Sequence, residues 1–262
     1  MLVDSHCHLD MLCPDQDALQ PILAEAGKQG IQHLLCVSVS LERFKPMLEL
    51  IAAHPQVSAS VGVHPDGTGV HEPEVEELVT LGQQEKVVAI GETGLDYFRL
   101  EGDVEWQRER FRKHIRAARE LNKPLIVHTR AAREDTLKIL SEERAADAGG
   151  VLHCFTEDWE MAQAAMDMNF YISFSGIVTF KNALALKEVA RNMPAERMLV
   201  ETDSPYLAPV PKRGKSNQPA YVRYVAEYLA ELREQSLESV AEATTQNFYK
   251  LFKTAAHPLA VA

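Results

Sequence analysis

The sequence predicts an α/β protein built as a single (β/α)8 TIM barrel, with residues 1–262 forming one domain. Three observations lead to this fold class. Eight short apolar runs recur along the chain, segments with helical periodicity lie between them, and the length of 262 residues is close to the roughly 250 that such a barrel needs. A doubly wound open sheet is the rival fold, but the glycine-rich first turn expected of it is missing.

The predicted strands follow one another from the first residues to about residue 200, and runs this apolar suit strands buried on both faces. They are Met1–Val3, His33–Val39, Val57–Val63, Val87–Ile90, Leu125–Val127, Gly150–Leu152, Phe170–Phe174 and Met198–Val200. Two examples of helical spacing are Phe111, Ile115, Ala118 and Leu237, Val240, Thr244, Phe248, Leu251. Because no linker or low-complexity tract interrupts this pattern, we expect one domain.

The composition is that of an ordinary globular protein, with 46% hydrophobic and 25% charged residues. Its apolar runs are too short to span a membrane, and the first residues do not resemble a secretory signal, so we expect a cytoplasmic protein without a membrane partner. The four cysteines include no CxxC pair, and a disulfide framework is not expected. Nothing in the sequence indicates an obligatory protein partner.

The chain is acidic, with a formal charge of −11. This balance argues against a general nucleic-acid-binding surface, because such surfaces neutralise phosphates with basic residues. It does not exclude a polyanionic substrate in one cleft, since bound divalent metals and a few local basic residues can invert the sign of the potential there.

Polar residues with metal-ligand chemistry follow five of the predicted strands. The carboxyl ends of barrel strands form the face at which active sites lie, so these side chains are expected to meet. They occur in His6-Cys7-His8, Gly91-Glu92-Thr93-Gly94, His128-Thr129-Arg130, His153-Cys154-Phe155 and Glu201-Thr202-Asp203-Ser204-Pro205.

The pair His6 and His8 has the spacing of two side chains on one side of a strand, with Cα atoms about 6–7 Å apart. Both imidazoles can then reach one metal ion, whereas Cys7 points to the other side. Glu92 follows an apolar run, where a carboxylate is costly to desolvate unless it is paired or coordinated. Its two oxygens can serve two ions, although a helix N-cap or a structural ion pair is the alternative.

His128 and His153 each follow a buried run, and either one alone is more often a hydrogen-bonded core histidine. Together with the other candidates they make a packing explanation difficult, and we predict a metal site. Its expected ligands are His6, His8, Glu92, His128, His153 and Asp203. The remaining histidines considered, at strand starts, in helices or in loops, are interpreted as structural or surface residues: His33, His54, His71, His114 and His257.

Asp203 closes the last strand and is the candidate general base, because a carboxylate there can accept a proton from a water that a metal has acidified. An N-cap for the following turn is the alternative role. A Cys154–His153 nucleophilic pair is disfavoured, since neighbours on a strand point to opposite faces. No GxSxG elbow is present, so serine acyl transfer is not expected.

In order and spacing, these motifs resemble the TatD family of metal-dependent hydrolases over nearly the whole chain. The matching segments are Val3-Asp4-Ser5-His6-Cys7-His8-Leu9-Asp10, Gly62-Val63-His64-Pro65, Gly91-Glu92-Thr93-Gly94-Leu95-Asp96-Tyr97, Val127-His128-Thr129-Arg130, Leu152-His153-Cys154-Phe155, Ser175-Gly176 and Glu201-Thr202-Asp203-Ser204-Pro205-Tyr206.

The resemblance implies a barrel of the metal-dependent hydrolase type with two divalent ions per chain, which would be Mg, Mn or Zn. One ion would be held by His6, His8, Glu92 and Asp203, and the second by Glu92, His128 and His153. Glu92 would bridge them, and with Asp203 it is a predicted catalytic residue. The family resemblance implies DNA as substrate, cleaved by a deoxyribonuclease that trims strands from 3′ to 5′.

His64 and Arg130 are predicted to contact the substrate, because each follows a strand at the same face and can reach a phosphate. A salt bridge to a carboxylate is the alternative for Arg130. Lys212, Arg213 and Lys215 lie in a long loop and either guide a nucleic-acid backbone or form a solvated basic loop. Two other functions stay open: a hydrolase of small amides, lactones or phosphate esters, and a metal-binding partner protein without turnover.

Overall fold

A computed structural model describes residues 1–256, and the strands in this range form one eight-stranded sheet. Each strand pairs in parallel with the next one in sequence. The first and last strands approach each other where the His6 carbonyl accepts from the Asp203 amide at 2.9 Å and the Ser204 carbonyl accepts from the His8 amide at 2.8 Å. These bonds nearly close the barrel, which confirms the predicted fold class and excludes the open sheet.

The strands alternate with helices along the described residues. The strands are β1 (Leu2–Cys7), β2 (Ile31–Cys36), β3 (Val57–Val61), β4 (Val87–Asp96), β5 (Leu125–Arg130), β6 (Gly150–Leu152), β7 (Phe170–Phe174) and β8 (Met198–Val200). The helices are α1 (Leu9–Leu12), α2 (Gln16–Lys28), α3 (Leu41–Ile51), α4 (Val75–Gly82), α5 (Glu105–Leu121), α6 (Arg133–Glu142), α7 (Trp159–Asp167), α8 (Leu184–Asn192), α9 (Val222–Leu232) and α10 (Leu237–Leu251).

Three strands are longer than predicted, and the extra residues carry the polar side chains of interest. The predicted ends Val3, Ile90 and Val127 were wrong, because β1 continues to Cys7, β4 to Asp96 and β5 to Arg130. Inside β1, the hydroxyl of Ser5 donates to the carbonyl of Val200 at 2.9 Å. Polar residues therefore remain in the strand when their groups are bonded across the barrel.

The predicted ends of two other strands were too late. β2 stops at Cys36, not Val39, and β3 stops at Val61, not Val63. The three strands from β6 to β8 have the predicted bounds, Gly150–Leu152, Phe170–Phe174 and Met198–Val200.

Close backbone approach explains why β4 contains glycine at the level of the site. Gly94 has φ +128°, and a Cβ atom there would lie 2.0 Å from the carbonyl oxygen of His128. An L side chain would both strain the backbone and push β5 away. Glycine therefore keeps β4 and β5 in contact beside Glu92 and His128.

The helical predictions are confirmed in α5 and α10. Phe111, Ile115 and Ala118 are buried on α5, and Phe248 of α10 belongs to a cluster with residues of the strands. Among the helices of residues 1–256, none is long and apolar enough to cross a bilayer.

Candidate metal centre

A cavity of about 860 Å³ opens where the carboxyl ends of the strands meet. Most of the residues predicted for the site line it, namely His8, His64, Glu92, His128, Arg130, His153 and Asp203. His6 lies just behind them and is fully buried. The structure thus brings together all of the side chains predicted as ligands, and the two predicted substrate contacts with them.

The two carboxylate oxygens of Glu92 face different groups of histidines. Oε2 lies 3.3 Å from His6 Nε2 and 3.8 Å from His8 Nε2. Oε1 lies 2.7 Å from His153 Nε2 and 3.4 Å from His128 Nδ1. Glu92 is therefore placed between two sets of possible ligands, as a bridging carboxylate would be.

Asp203 completes the group on the Oε2 side. Its Oδ1 lies 3.4 Å from His8 Nε2 and 3.8 Å from His6 Nε2, and these two nitrogens are 3.3 Å apart. Ligand atoms about 2.0–2.1 Å from a tetrahedral ion lie about 3.3–3.4 Å from one another. The spacing of this group fits a small divalent ion.

Hydrogen bonds on the far side of three rings orient the histidines. His8 Nδ1 donates to the carbonyl of Val37 at 2.9 Å, which leaves its Nε2 as an acceptor facing the site. His153 Nδ1 lies 3.3 Å from Glu201 Oε1. His128 has the reverse orientation, since its Nε2 lies 3.1 Å from an oxygen of Asp96 and its Nδ1 faces Glu92.

His64, predicted as a substrate contact, also lies next to Glu92. Its Nδ1 is hydrogen-bonded to Asp66, and its Nε2 lies 3.3 Å from Glu92 Oε1. With Glu92 and His128 it forms one of the groups able to hold an ion. His64 is therefore a possible ligand as well as a possible substrate contact.

A further sign of a cation site is the contact between His153 and Glu92. His153 Nε2 is buried and has no hydrogen-bond partner with suitable geometry in the described chain, although Glu92 Oε1 is 2.7 Å away. With the proton of His153 on Nδ1, toward Glu201, two acceptors face each other. A positive charge, either a proton or a metal ion, is needed between them.

The shifted pKa values follow from the same concentration of charge. Burial would raise the pKa of Glu92, but the facing histidines, His153 foremost, hold it well below its usual range. Burial also opposes the charge on His153, whereas Glu92 and Glu201 raise its pKa well above the ordinary value. Although burial lowers the pKa of His64, Glu92 and Asp66 raise it to about 10. The centre is thus electrostatically prepared for cations.

Sequence reasoning missed the carboxylates that orient these rings. Asp66, Asp96 and Glu201 each contact a histidine through the nitrogen that faces away from Glu92. In the sequence, the one indication of this role is that these carboxylates lie within a few residues of the candidate ligands.

A further carboxylate, the fully buried Asp4, joins β1 to the residues that follow β8. It accepts from the amide of Thr202 at 2.8 Å and from its hydroxyl at 2.6 Å. Burial, stronger than these hydrogen bonds, raises the pKa of Asp4 to about 8. Because Asp203 follows Thr202, Asp4 sets the position of Asp203 beside the histidines of β1.

Helix α5 supports the site with a buried polar stripe that the sequence did not reveal. Gln107 bonds the amide and the carbonyl of Asp96 at 2.9 and 3.1 Å. Arg110 donates to the carbonyls of His64 and Gly67 at 2.7 and 2.8 Å. Since these residues are one helical turn apart, one face of α5 fixes the loops that follow β3 and β4.

Three of the basic candidates lie against aromatic rings. Arg130 Cζ lies 3.8 Å from the centre of the Phe98 ring, and Arg213 Cζ lies 3.8 Å from that of Phe180. Lys212 lies over the rings of Tyr221 and Tyr224. In the part of the chain that the structure describes, neither Arg130 nor the cations at 212, 213 and 215 form an ion pair, so the salt-bridge alternative for Arg130 is not observed.

The thiol of Cys154 does not form a catalytic pair with the adjacent His153. Cys154 Sγ lies 3.2 Å from the hydroxyl of Ser175, whereas His153 is directed at Glu92 and Glu201. Burial and the nearby charges of Asp203 and Glu201 raise the pKa of Cys154 well above its ordinary value. The group therefore stays a thiol, in agreement with the prediction that it is no nucleophile.

The other histidines that the structure describes lie outside this centre. His33 contacts the Ser58 hydroxyl at 2.8 Å, and His114 accepts from the Val63 amide at 3.0 Å. His54 and His71 bond to side chains of Gln16 and Glu77. His257 lies outside the described residues.

A parallel barrel that brings histidines and carboxylates together at the ends of its strands is typical of one class of proteins. These are the metal-dependent hydrolases of the barrel type. The family described as TatD related DNase matches residues 3–253, and the chain belongs to this TatD family. It is 53% identical over 256 residues to YcfH of Escherichia coli K12, named an uncharacterized metal-dependent hydrolase, covering 96% of this chain and 95% of that one.

Two further relatives agree with this assignment. The chain is 32% identical to the Salmonella typhimurium protein named 3′-5′ ssDNA/RNA exonuclease TatD, over 88% of this chain and 92% of the relative. The crystal structure of YjjV, a TatD homolog from Escherichia coli K12, superposes with a TM-score of 0.88 at 26% identity, covering 96% and 98% of the two chains. The resemblance to the TatD family, inferred from the sequence motifs, is confirmed.

Proposed function

We propose that this metal-dependent hydrolase cleaves phosphodiester bonds in nucleic acid, with DNA as substrate, and removes nucleotides from the 3′ end. The observation that carries the proposal is the position of Glu92, whose two oxygens face two separate sets of histidines in one open cavity. Two-metal sites of this kind suit the displacement of one oxygen by another at phosphorus. The exonuclease named among the relatives supports the same chemistry.

The residues fit two divalent ions, which we assign as Mg, Mn or Zn. His6, His8, Glu92 and Asp203 would hold one, and Glu92, His128 and His153 the other, with His64 at its edge. When bound, such ions make water more acidic and stabilise negative charge on phosphoryl oxygens.

Asp203 is assigned as general base because it contacts both His6 and His8 and also lines the open cavity. Its side chain is 14% exposed, compared with 3% for Glu92. Burial would raise the pKa of Asp203, but His8, His6 and His153 lower it, so the group is ionised and able to accept a proton from the attacking water. Glu92, enclosed by imidazoles, acts as a ligand.

Arg130 is assigned to the phosphate. It lines the cavity, its guanidinium makes no ion pair within the described residues, and it can donate two parallel hydrogen bonds to an anion. In an acidic chain, such a cation at the mouth provides a local region where a polyanion is attracted.

The test is a turnover assay on metal-stripped protein, with Mg, Mn or Zn added back. Single-stranded DNA labelled at one end is compared with a small phosphodiester, a phosphomonoester and an amide. We expect metal-dependent shortening of DNA from its 3′ end and its loss in Asp203→Asn. Asp167→Asn, which changes an exposed carboxylate on α7, is the matched control. Turnover of a small substrate without DNA cleavage would overturn the nuclease function.

A further inference from the structure

Two aromatic side chains, Tyr206 in the lining of the cavity and Phe98 against Arg130 of that lining, are more than half exposed. Phe98 is 53% and Tyr206 is 54% exposed, in contrast to the fully buried Phe111 and Phe155. Phe98 follows β4 and Tyr206 follows β8. Because the strands run in order around the barrel, positions after the fourth and eighth strands lie on opposite sides of the mouth. The metal centre lies between these two rings.

The ring of Phe98 is accompanied by two guanidinium groups. Arg130 Cζ lies 3.8 Å and Arg99 Cζ lies 5.6 Å from its centre. Neither arginine forms an ion pair with a carboxylate in the residues that the structure describes. Phe98, Arg99 and Arg130 therefore form an apolar surface next to two guanidinium groups that have no ion-pair partner among these residues, which we call the Phe98 platform.

Tyr206 lies in a comparable position across the cavity. It lines the cavity wall, its ring centre is 6.4 Å from that of His8, and its hydroxyl donates to Met11 Sδ at 3.7 Å. The same loop continues into the basic residues Lys212 and Arg213. An exposed ring thus lies on each side of the centre, and on the Phe98 side two guanidinium groups lie against it.

An exposed ring beside free cations matches the chemistry of an unpaired nucleotide. Aromatic rings bind single strands by stacking on bases, while nearby cations contact the phosphates. A base in a duplex is already stacked and paired, so it cannot lie on such a ring without first being released.

Resting on the proposed function, we propose that Phe98 and Tyr206 stack nucleobases on opposite sides of the bond to be cleaved. These two rings then give the enzyme a preference for unpaired strands, and Arg99 and Arg130 hold the phosphate next to the base on Phe98. The role is binding and selection, and the metal centre carries out the cleavage.

The test measures equilibrium binding of a fluorescently labelled single-stranded oligonucleotide by anisotropy, with all proteins carrying Asp203→Asn and loaded with Mn²⁺ to prevent turnover. Removing one stacking contact costs about a factor of ten in affinity. We expect this loss in Phe98→Leu and Tyr206→Leu and its recovery in Phe98→Trp, since tryptophan restores a flat ring. Tyr228→Leu on α9, where Lys187 lies 5.5 Å from the ring centre, is the matched control and should bind normally.

A second single-stranded oligonucleotide, which carries abasic sites at its 3′ end, separates base stacking from electrostatic attraction to the phosphates. It should bind the parent protein about tenfold more weakly and be insensitive to Phe98→Leu, because the base that stacks is missing. Equal binding of both strands, or unchanged affinity in both leucine variants, overturns the platform and leaves the nuclease function intact. Failure of the parent protein to bind any oligonucleotide overturns both.

Discussion

Glu92 Oε1 lies 2.7 Å from His153 Nε2, and the nitrogen on the other side of that imidazole lies 3.3 Å from Glu201 Oε1. The imidazole is thus held between a carboxylate in the centre and a carboxylate behind it. Outer carboxylates of this kind orient a ligand histidine and increase its basicity. The relationship makes Glu201 a positioning residue, although it does not face the cavity.

The first prediction concerns Glu201→Gln, which keeps the shape of a fully buried side chain and removes its charge. We expect metal affinity to fall by about 10–100-fold, because His153 loses the carboxylate that orients it. A competition titration with a fluorescent chelator measures the change. Glu227→Gln, at an exposed ion pair with Arg223 on α9, should bind metal like the parent. Equal affinities in the two variants would refute the positioning role.

A second prediction concerns the close contact between β4 and β5. Gly94→Ala should destabilise the fold by about 3 kcal/mol or more, because a Cβ atom would lie 2.0 Å from the carbonyl oxygen of His128 at a left-handed φ. Gly27→Ala is the control, since nothing lies within 4 Å of its added Cβ and alanine favours the helix. Denaturant unfolding measures the stability of the two variants. Similar midpoints for both would contradict the close approach of β4 and β5 at Gly94.

A third prediction tests the support that α5 gives to the loop after β3. Arg110→Lys loses the forked contacts to the His64 and Gly67 carbonyls and to Glu72. We expect about 2–3 kcal/mol lower stability and faster hydrogen exchange in residues 64–72. Arg116→Lys on the same helix, where the arginine is exposed and paired with Glu143, should differ little from the parent. Unchanged slow exchange of residues 64–72 in Arg110→Lys would contradict the supporting role of Arg110.

A fourth prediction is a pH dependence of stability caused by His114. Burial, stronger than its hydrogen bond to Arg110, lowers the pKa of this imidazole from 6.5 to about 4 in the folded chain. Between these values the unfolded chain binds the proton and the folded chain does not, so stability falls as the pH drops through this window. The full effect is about 3 kcal/mol.

His114→Gln provides the comparison for this pH effect, because a glutamine amide can also donate and accept but does not titrate. Denaturant unfolding from pH 7 to pH 4 should give a flatter profile for the variant than for the parent. Parallel profiles would show that His114 is protonated equally in both states.

The sequence predicted the barrel and the ligand candidates because both depend on local patterns. Apolar runs followed by histidine or carboxylate indicated that Glu92, His128 and His153 meet at one face of the barrel, although Glu92 and His128 lie inside β4 and β5. The true extent of β4 could not be predicted, because Gly91 and Gly94 normally break strands. In the barrel they allow the neighbouring strand to approach closely.

The supporting residues were harder to foresee because their role depends on tertiary contacts. Arg110 is fully buried, yet a charged residue on an amphipathic helix is normally assigned to the solvent face. Asp66, Asp96 and Glu201 are recognisable as orienting groups once the distances to the histidines are known. Sequence motifs therefore indicated the candidate ligands more readily than the residues that orient them.

The most direct test of the central claim is to locate the ions in crystals grown with Mn²⁺, using anomalous scattering. We predict two peaks per chain on either side of the Glu92 carboxylate, one beside His6, His8 and Asp203, the other beside His128 and His153. In Glu92→Gln the paired peaks should weaken or disappear. A single peak, or peaks that do not contact Glu92, would contradict a centre bridged by this carboxylate.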